Sequence, residues 1–236
     1  MINCSPTPKR RQEAFSGMTF TIIGRDPDSG AIGVATATGA IAVGAQVPHC
    51  RFGVGAVATQ GYSTNVLFAR HGLPLLAQGQ SAPHVLRGLV AEDEGRDFRQ
   101  LAVMDRNGKT AGWTGARNSD AKGQIEGDDL IAVGNILKGP AVLPAMIDAY
   151  KAAQGAELAD RLLAALAAGE AAGGDRRGAC SAALLVDIGQ GAALNLRVDY
   201  DGGPVAALQA LYERSKDSEY RDFLKRLPDE QDPSRY

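Results

Sequence analysis

The chain has 236 residues, of which 44% are hydrophobic and 22% charged, and a formal net charge of −2. That size and balance fit one folded unit with a substantial core and exclude wholesale disorder. Near-neutral charge without a basic stripe argues against a nucleic-acid partner, and no apolar run approaches bilayer length, so no membrane partner is expected.

Residues 1–17, MINCSPTPKRRQEAFSG, are polar, carry Lys9, Arg10 and Arg11, and lack the apolar centre of a secretory signal. They read as a disordered leader or an extension from an upstream start codon, ahead of a single unit over residues 18–227 and a flexible tail over 228–236. Residues 19–25 alternate and are β-branched, Asp26-Pro27-Asp28-Ser29-Gly30 is turn chemistry, and 31–38 is again strand-like, which predicts a hairpin. Residues 52–59 predict a third strand. The period then becomes helical over 65–77 and, behind a capping Ser81, over 83–91. Residues 99–105 and 110–114 flank Asn107-Gly108, a strong hairpin signal, and 130–137 is a further strand. A second helical pair, rich in alanine and leucine, is predicted over 140–153 and 157–168. Closing strands follow over 182–187 and 193–199, and Pro204 opens a C-terminal helix over 204–227.

Strands, helix pair, strands, helix pair, strands and helix do not make the strict alternation of a doubly wound sheet. Two mostly antiparallel sheets that bury their inner faces together, with helices on the outer faces, satisfy the order better. The expected class is therefore α+β, a four-layer αββα sandwich; a two-layer α+β fold with helices on one side is the alternative.

The densest cluster of site-like residues is Gly173-Gly174-Asp175-Arg176-Arg177-Gly178-Ala179-Cys180-Ser181, directly before an apolar strand signal. Glycines such as Gly174 admit close backbone approaches, Asp175 can orient an arginine, and Arg176 or Arg177 with backbone N–H groups can receive an anion or carboxylate. A surface turn with a solvated charge cluster is the plainer reading. His49 and Cys50 are adjacent, and neighbours on a strand point to opposite faces, so they do not read as a dyad. His49, His71 and His84 have no ligand spacing, so neither metal nor cofactor is expected. Cys4, Cys50 and Cys180 are too few and too irregular for a disulfide framework, which points to a reducing cytoplasm.

The segments Met18-Thr19-Phe20, Arg25-Asp26, Val57-Ala58-Thr59-Gln60, Gly134-Asn135-Ile136-Leu137 and 173–186 resemble the family called Domain of Unknown Function 1028, over nearly everything after residue 17. The resemblance implies the αββα fold of the N-terminal nucleophile hydrolases. The chain departs from the family pattern at Cys180 and at Val133, where glutamine tends to stand; both changes remove amides that could recognise substrate.

What the resemblance implies chemically centres on Thr19 as nucleophile. A threonine hydroxyl needs a base, and its own α-amine, with an ordinary pKa of about 7.7 to 8.0, can take and return the proton. That requires a free Thr19 amine, either by translation from Met18 with loss of the initiator or by cutting the Gly17-Met18 or Met18-Thr19 bond. Asn135 could donate its amide to a developing oxyanion, a role worth about 3 kcal/mol, or merely cap a turn. Asp175 with Arg176 or Arg177 would bind a substrate carboxylate or tune the amine, and Ser181 would orient it. Thr36 and Thr38 face the first strand and read as structural, whereas Gln60 and Asn65 line a cleft or serve as caps. The expected function is a cytoplasmic amidohydrolase acting, without cofactor, on a small amide or carboxylate-bearing substrate. The alternative is a noncatalytic ligand-binding or assembly module whose GGDRRG loop holds an anion. Alanine-rich helices that allow close packing point to a homodimer.

Overall fold

The computed structural model describes residues 19–118, 121–228 and 232–236; the leader, Met18 included, lies outside them. Strand β1 (Thr19–Arg25) and strand β2 (Ile32–Thr38) form the expected hairpin. They are the centre of a six-stranded antiparallel sheet completed by β7 (Gly123–Gly127), β8 (Leu130–Asn135), β9 (Ser181–Asp187) and β10 (Leu194–Val198), in the order β10-β9-β2-β1-β8-β7. A second antiparallel sheet has the order β3-β4-β5-β6, with β3 (Pro48–Arg51), β4 (Gly55–Gly61), β5 (Arg99–Asp105) and β6 (Thr110–Thr114).

The period of two in each strand sorts side chains into three apolar cores. Phe20 and Ile22 of β1 and Leu184 of β9 point outward, onto Met146 and Tyr150 of α3 (Val142–Ala152), Leu162 and Leu166 of α4 (Leu158–Ala171) and Leu208 of α5 (Pro204–Ser215). Ile23, Val34, Ile131 and Val133 point the other way and meet Ala56, Ala58 and Met104 of the second sheet. The outer face of that sheet, with Val57, Leu101 and Val103, is covered by Phe68 and Leu76 of α1 (Leu67–Ala77) and by Val85 and Leu89 of α2 (Ala82–Glu92). Three cores between successive sheets and helices make the αββα sandwich, and the two-layer alternative falls away.

Local differences from the sequence reading have physical causes. The expected strand over 52–59 begins later: residues 52–54 turn the chain, with Gly53 at φ 69°, so β4 starts at Gly55, and β3 pairs with it from ahead of the turn, where the sequence reading placed no strand. The C-terminal helix breaks at Asp217, whose backbone is extended (ψ 138°), into α5 and α6 (Ser218–Arg226), and α6 buries none of its residues. Ser81 caps α2 through its backbone carbonyl, while the amide of Ala82 is taken by the buried Asp105 carboxylate at 3.0 Å.

Candidate functional site

Thr19 pairs with Thr38 on one side and with Asn135 on the other, and Thr38 pairs in turn with Ser181. A buried row, Asn135·Thr19·Thr38·Ser181, therefore crosses the six-stranded sheet at one end, on the face that meets the second sheet. One row deeper, Thr21 and Thr36 are also register partners. From the opposite sheet come Gln60 of β4 and Gln100 of β5, again register partners and fully buried.

These side chains form one network whose donors and acceptors can be counted. The Thr21 hydroxyl donates to Gln60 Oε1 at 2.6 Å; having a single proton, it accepts from the Thr36 hydroxyl at 2.7 Å. Gln60 Nε2 donates to the Thr19 carbonyl at 3.2 Å and to Gln100 Oε1 at 2.6 Å. Gln100 Nε2 faces the Gly134 carbonyl at 2.8 Å, the Thr114 hydroxyl at 2.9 Å and the Gly123 carbonyl at 3.0 Å. Those contacts fix Gln100 Oε1 as the acceptor, and Asn135 Nδ2 donates into it at 2.9 Å.

With its NH2 group committed to Gln100, Asn135 turns its carbonyl oxygen, Oδ1, to a place where no described residue meets it. Leaving such a buried group unmet costs about 1–3 kcal/mol. The next residue adds to that cost. Ile136 has φ 53°, in the left-handed region that a β-branched side chain disfavours. An orphan acceptor and a strained backbone on consecutive residues, opposite Thr19, are the features expected where function outweighs stability. Thr19 itself is 4% exposed, and its hydroxyl makes a long contact of 3.3 Å to the Thr38 hydroxyl.

Asp175 and Ser181 act one step removed. Asp175 is buried; its Oδ2 accepts from the Gly39 amide at 2.5 Å and its Oδ1 from the Arg177 amide at 2.7 Å. A β-carbon on Gly39 would fall 2.5 Å from that carboxylate oxygen, so only glycine permits the approach. The Ser181 hydroxyl donates to the Ala40 carbonyl at 2.7 Å and accepts from the Val43 amide at 3.1 Å. Both side chains thus fasten the bend at 39–43 that follows β2. Ser181 stands two strands from Thr19, about 10 Å away at the usual strand spacing. Gly174, buried at φ 47°, gives its carbonyl to the Lys138 amide at 3.1 Å, which ties the loop to the end of β8.

Of the two arginines, Arg177 pairs with Asp175 at 3.4 Å while 38% exposed, and Arg176 is exposed. Neither reaches Thr19 by a hydrogen bond. Burial pushes the Cys180 thiol up, the Asp175 charge pushes it further and Arg177 opposes them, so it is no thiolate at neutral pH. Cys50 is driven the same way by burial and then by Asp187, and burial holds His49 down. Asn65 stands apart from the network: its Oδ1 accepts the Leu67 amide at 3.0 Å and its Nδ2 donates to Asp93 at 3.1 Å, which makes it a helix cap.

A cavity of about 700 Å³ lies at the other end of β1, lined by residues including Asp26, Glu157, Tyr212, Lys216 and Leu224. One group of its polar side chains is mutually paired: the Tyr212 hydroxyl lies 3.3 Å from Glu157 and 3.2 Å from Asp160, which also takes Lys216 at 3.3 Å. The Thr19 end is the better candidate because an unsatisfied acceptor is there, whereas volume alone marks the cavity.

Sequence reasoning missed Gln100. Its signal is an amide directly before the apolar run Leu101 to Met104, near the start of a strand and on the same pleat side as Ala102 and Met104.

Residues 19–208 match the family described as being of unknown function, DUF1028. The chain belongs to the DUF1028 family. Among the solved structures similar to this DUF1028 chain is the crystal structure of a Silicibacter pomeroyi protein assigned to the same family. The two are 36% identical with a TM-score of 0.86, over 92% of this chain and 98% of that one. No curated protein matches. Among the described residues no helix is long and apolar enough to cross a membrane, and no cluster of three or more His, Cys, Asp or Glu side chains could hold a metal ion.

Proposed function

We propose that this DUF1028 chain is an amidohydrolase of the N-terminal nucleophile type, with Thr19 as nucleophile. The observation that carries the reading is the convergence on Thr19 of a buried amide network with one unmet acceptor, beside a strained residue. The family match that starts at Thr19 also supports it. In the proposed reaction the Thr19 hydroxyl proton passes to the residue's own α-amine while Oγ1 bonds to the substrate carbonyl carbon. The carbon–nitrogen bond then breaks, and the leaving amine takes that proton. Water, deprotonated by the same amine, attacks the resulting ester and releases the acid and the free hydroxyl. A small amide or carboxylate-bearing molecule is the substrate class, no cofactor is needed, and the setting is a homodimer in the cytoplasm.

The test is intact-mass analysis of protein from producing cells, followed by a β-lactone probe. A mass for residues 19–236, one adduct mapped to Thr19 and none on Thr19→Ala support the reading; a chain that keeps residues before Thr19, or a free Thr19 that no electrophile modifies, ends it. A second reading, a noncatalytic module, is favoured by the exposure of Arg176 and Arg177 on the GGDRRG loop. It expects anion binding that Thr19→Ala leaves intact and Arg177→Ala weakens.

A further inference from the structure

We infer that the unmet side-chain oxygen of Asn135 is the acceptor that holds and aims the Thr19 α-amine once that amine is free. The inference rests on the proposed nucleophile reading and adds a positioning residue to it.

The geometry comes from the strand ladder. The Arg25 amide donates to the Asp129 carbonyl at 2.9 Å, which marks Arg25 and Asp129 as a hydrogen-bonded pair between β1 and the residue preceding β8. Such pairs recur at every second residue of an antiparallel ladder. Thr19 is an even number of residues from Arg25 and is the register partner of Asn135, so its nitrogen also points at β8. On the other flank, the Asp26 amide donates to Ala31 at 2.9 Å, so the even-numbered residues of β1 face β2, as the alternation requires. The Thr19 nitrogen therefore faces a residue offering two oxygens: the backbone carbonyl of Asn135 and, on the same pleat face as the Thr19 side chain, its Oδ1.

Counting protons explains the orphan. A peptide nitrogen at Thr19 has one N–H, which the ladder uses, and Oδ1 is left over. A neutral α-amine has two, one for each Asn135 oxygen, which leaves its lone pair for the hydroxyl proton of the same residue. The Gln60–Gln100 pair enforces the arrangement, because Asn135 cannot flip its amide without setting oxygen against Gln100 Oε1. Among the described residues, the charged or titratable groups around this end of the sheets include Glu170, Asp175, Arg176, Arg177 and Cys180 before β9, Asp201 bonded through its amide to the Cys180 carbonyl, Lys138 after β8, Lys122 before β7, and Arg99 at the start of β5 with its partner Asp93. None of them is hydrogen-bonded to Thr19.

The experiment uses protein whose Thr19 N-terminus has been verified by mass, and follows β-lactone labelling of Thr19 against pH, with thermal melting as the check on folding. Labelling rises as the amine loses its proton. An acceptor stabilises the protonated form, so Asn135→Ala moves the midpoint down and Asn135→Asp, which adds a negative charge, moves it up, each by about one pH unit. The plateau rate of Asn135→Ala falls about tenfold, since the lone pair is no longer aimed. Opposite midpoint shifts in two folded variants are not expected of a merely structural residue. Folded variants whose midpoints both stay at the wild-type value overturn the inference while leaving the nucleophile in place. If Asn135→Ala fails to fold, Asn135→Asp decides by the same criterion, and failure to find any free Thr19 amine brings down both proposals.

Discussion

Along β1, from Arg25 toward Thr19, the inward side chains change from Ile23 to Thr21 to Thr19. Strand β2 changes in step, from Ile32 and Val34 to Thr36 and Thr38, and β8 from Ile131 and Val133 to Asn135. The facing sheet mirrors this, with Met104, Ala102, Ala56 and Ala58 opposite the apolar half and Gln60 and Gln100 opposite the polar one. Both halves are buried to the same degree, so burial alone does not explain the change. Apolar side chains would fill the second half at lower cost, because buried amides are tolerated only when every hydrogen bond is made. Here one is not made, and that difference between the halves marks the polar end as the candidate site.

The largest expected effect comes from removing the hub of the polar half. Gln100→Leu leaves Gln60 Nε2, Asn135 Nδ2 and the Gly134 carbonyl without their Gln100 partner, and at about 1–3 kcal/mol for each of the three groups the summed loss is roughly 3–9 kcal/mol in chemical denaturation. A stability unchanged by this substitution would mean that the amides are not a cooperative network. In the apolar half, Ile131→Ala creates a cavity at a fully buried position and costs about 2–4 kcal/mol, with no effect on labelling at Thr19. A smaller effect is expected outside the sandwich. Burial pushes the Asp93 carboxyl up, but hydrogen bonds from Arg99, Asn65 and the Gly95 amide outweigh it, and the net pKa is below the ordinary value. The stability it supplies is full above the unfolded carboxyl value of about 3.9 and is lost as pH falls through the lower folded value. Asp93→Asn therefore costs about 1 kcal/mol at pH 7, and the gap to the parent closes below roughly pH 4 in urea melts.

Strong alternation and turn chemistry made much of this legible in the sequence. The bounds of β1, β5 and β6 follow from their patterns, and the αββα layering follows from element order. The two strands that escaped, β3 and β7, are both sheet edges. Pro48-His49-Cys50-Arg51 and the glycine-bounded β7 need to satisfy a neighbour on only one side, so their sequences carry little pattern. At the site, Thr19, Asn135 and Gln60 converge as their strand positions allow. Asp175 and Ser181 instead fasten a bend, since a loop's glycines reveal that it approaches something closely without revealing what. Gln100 was hidden because partners across two sheets are set by register, which no local window contains.

The fastening of that bend has a consequence for how the chain acquires its shape. Gly39, Ala40 and Val43 are held by groups 136 to 141 positions further along, on the segment leading into β9. Links of such long range form late, because the intervening loop must first be closed. On a ribosome the hairpin of β1 and β2 emerges early with its threonines open to water, and the rim beside them sets only once Asp175 and Ser181 have been made.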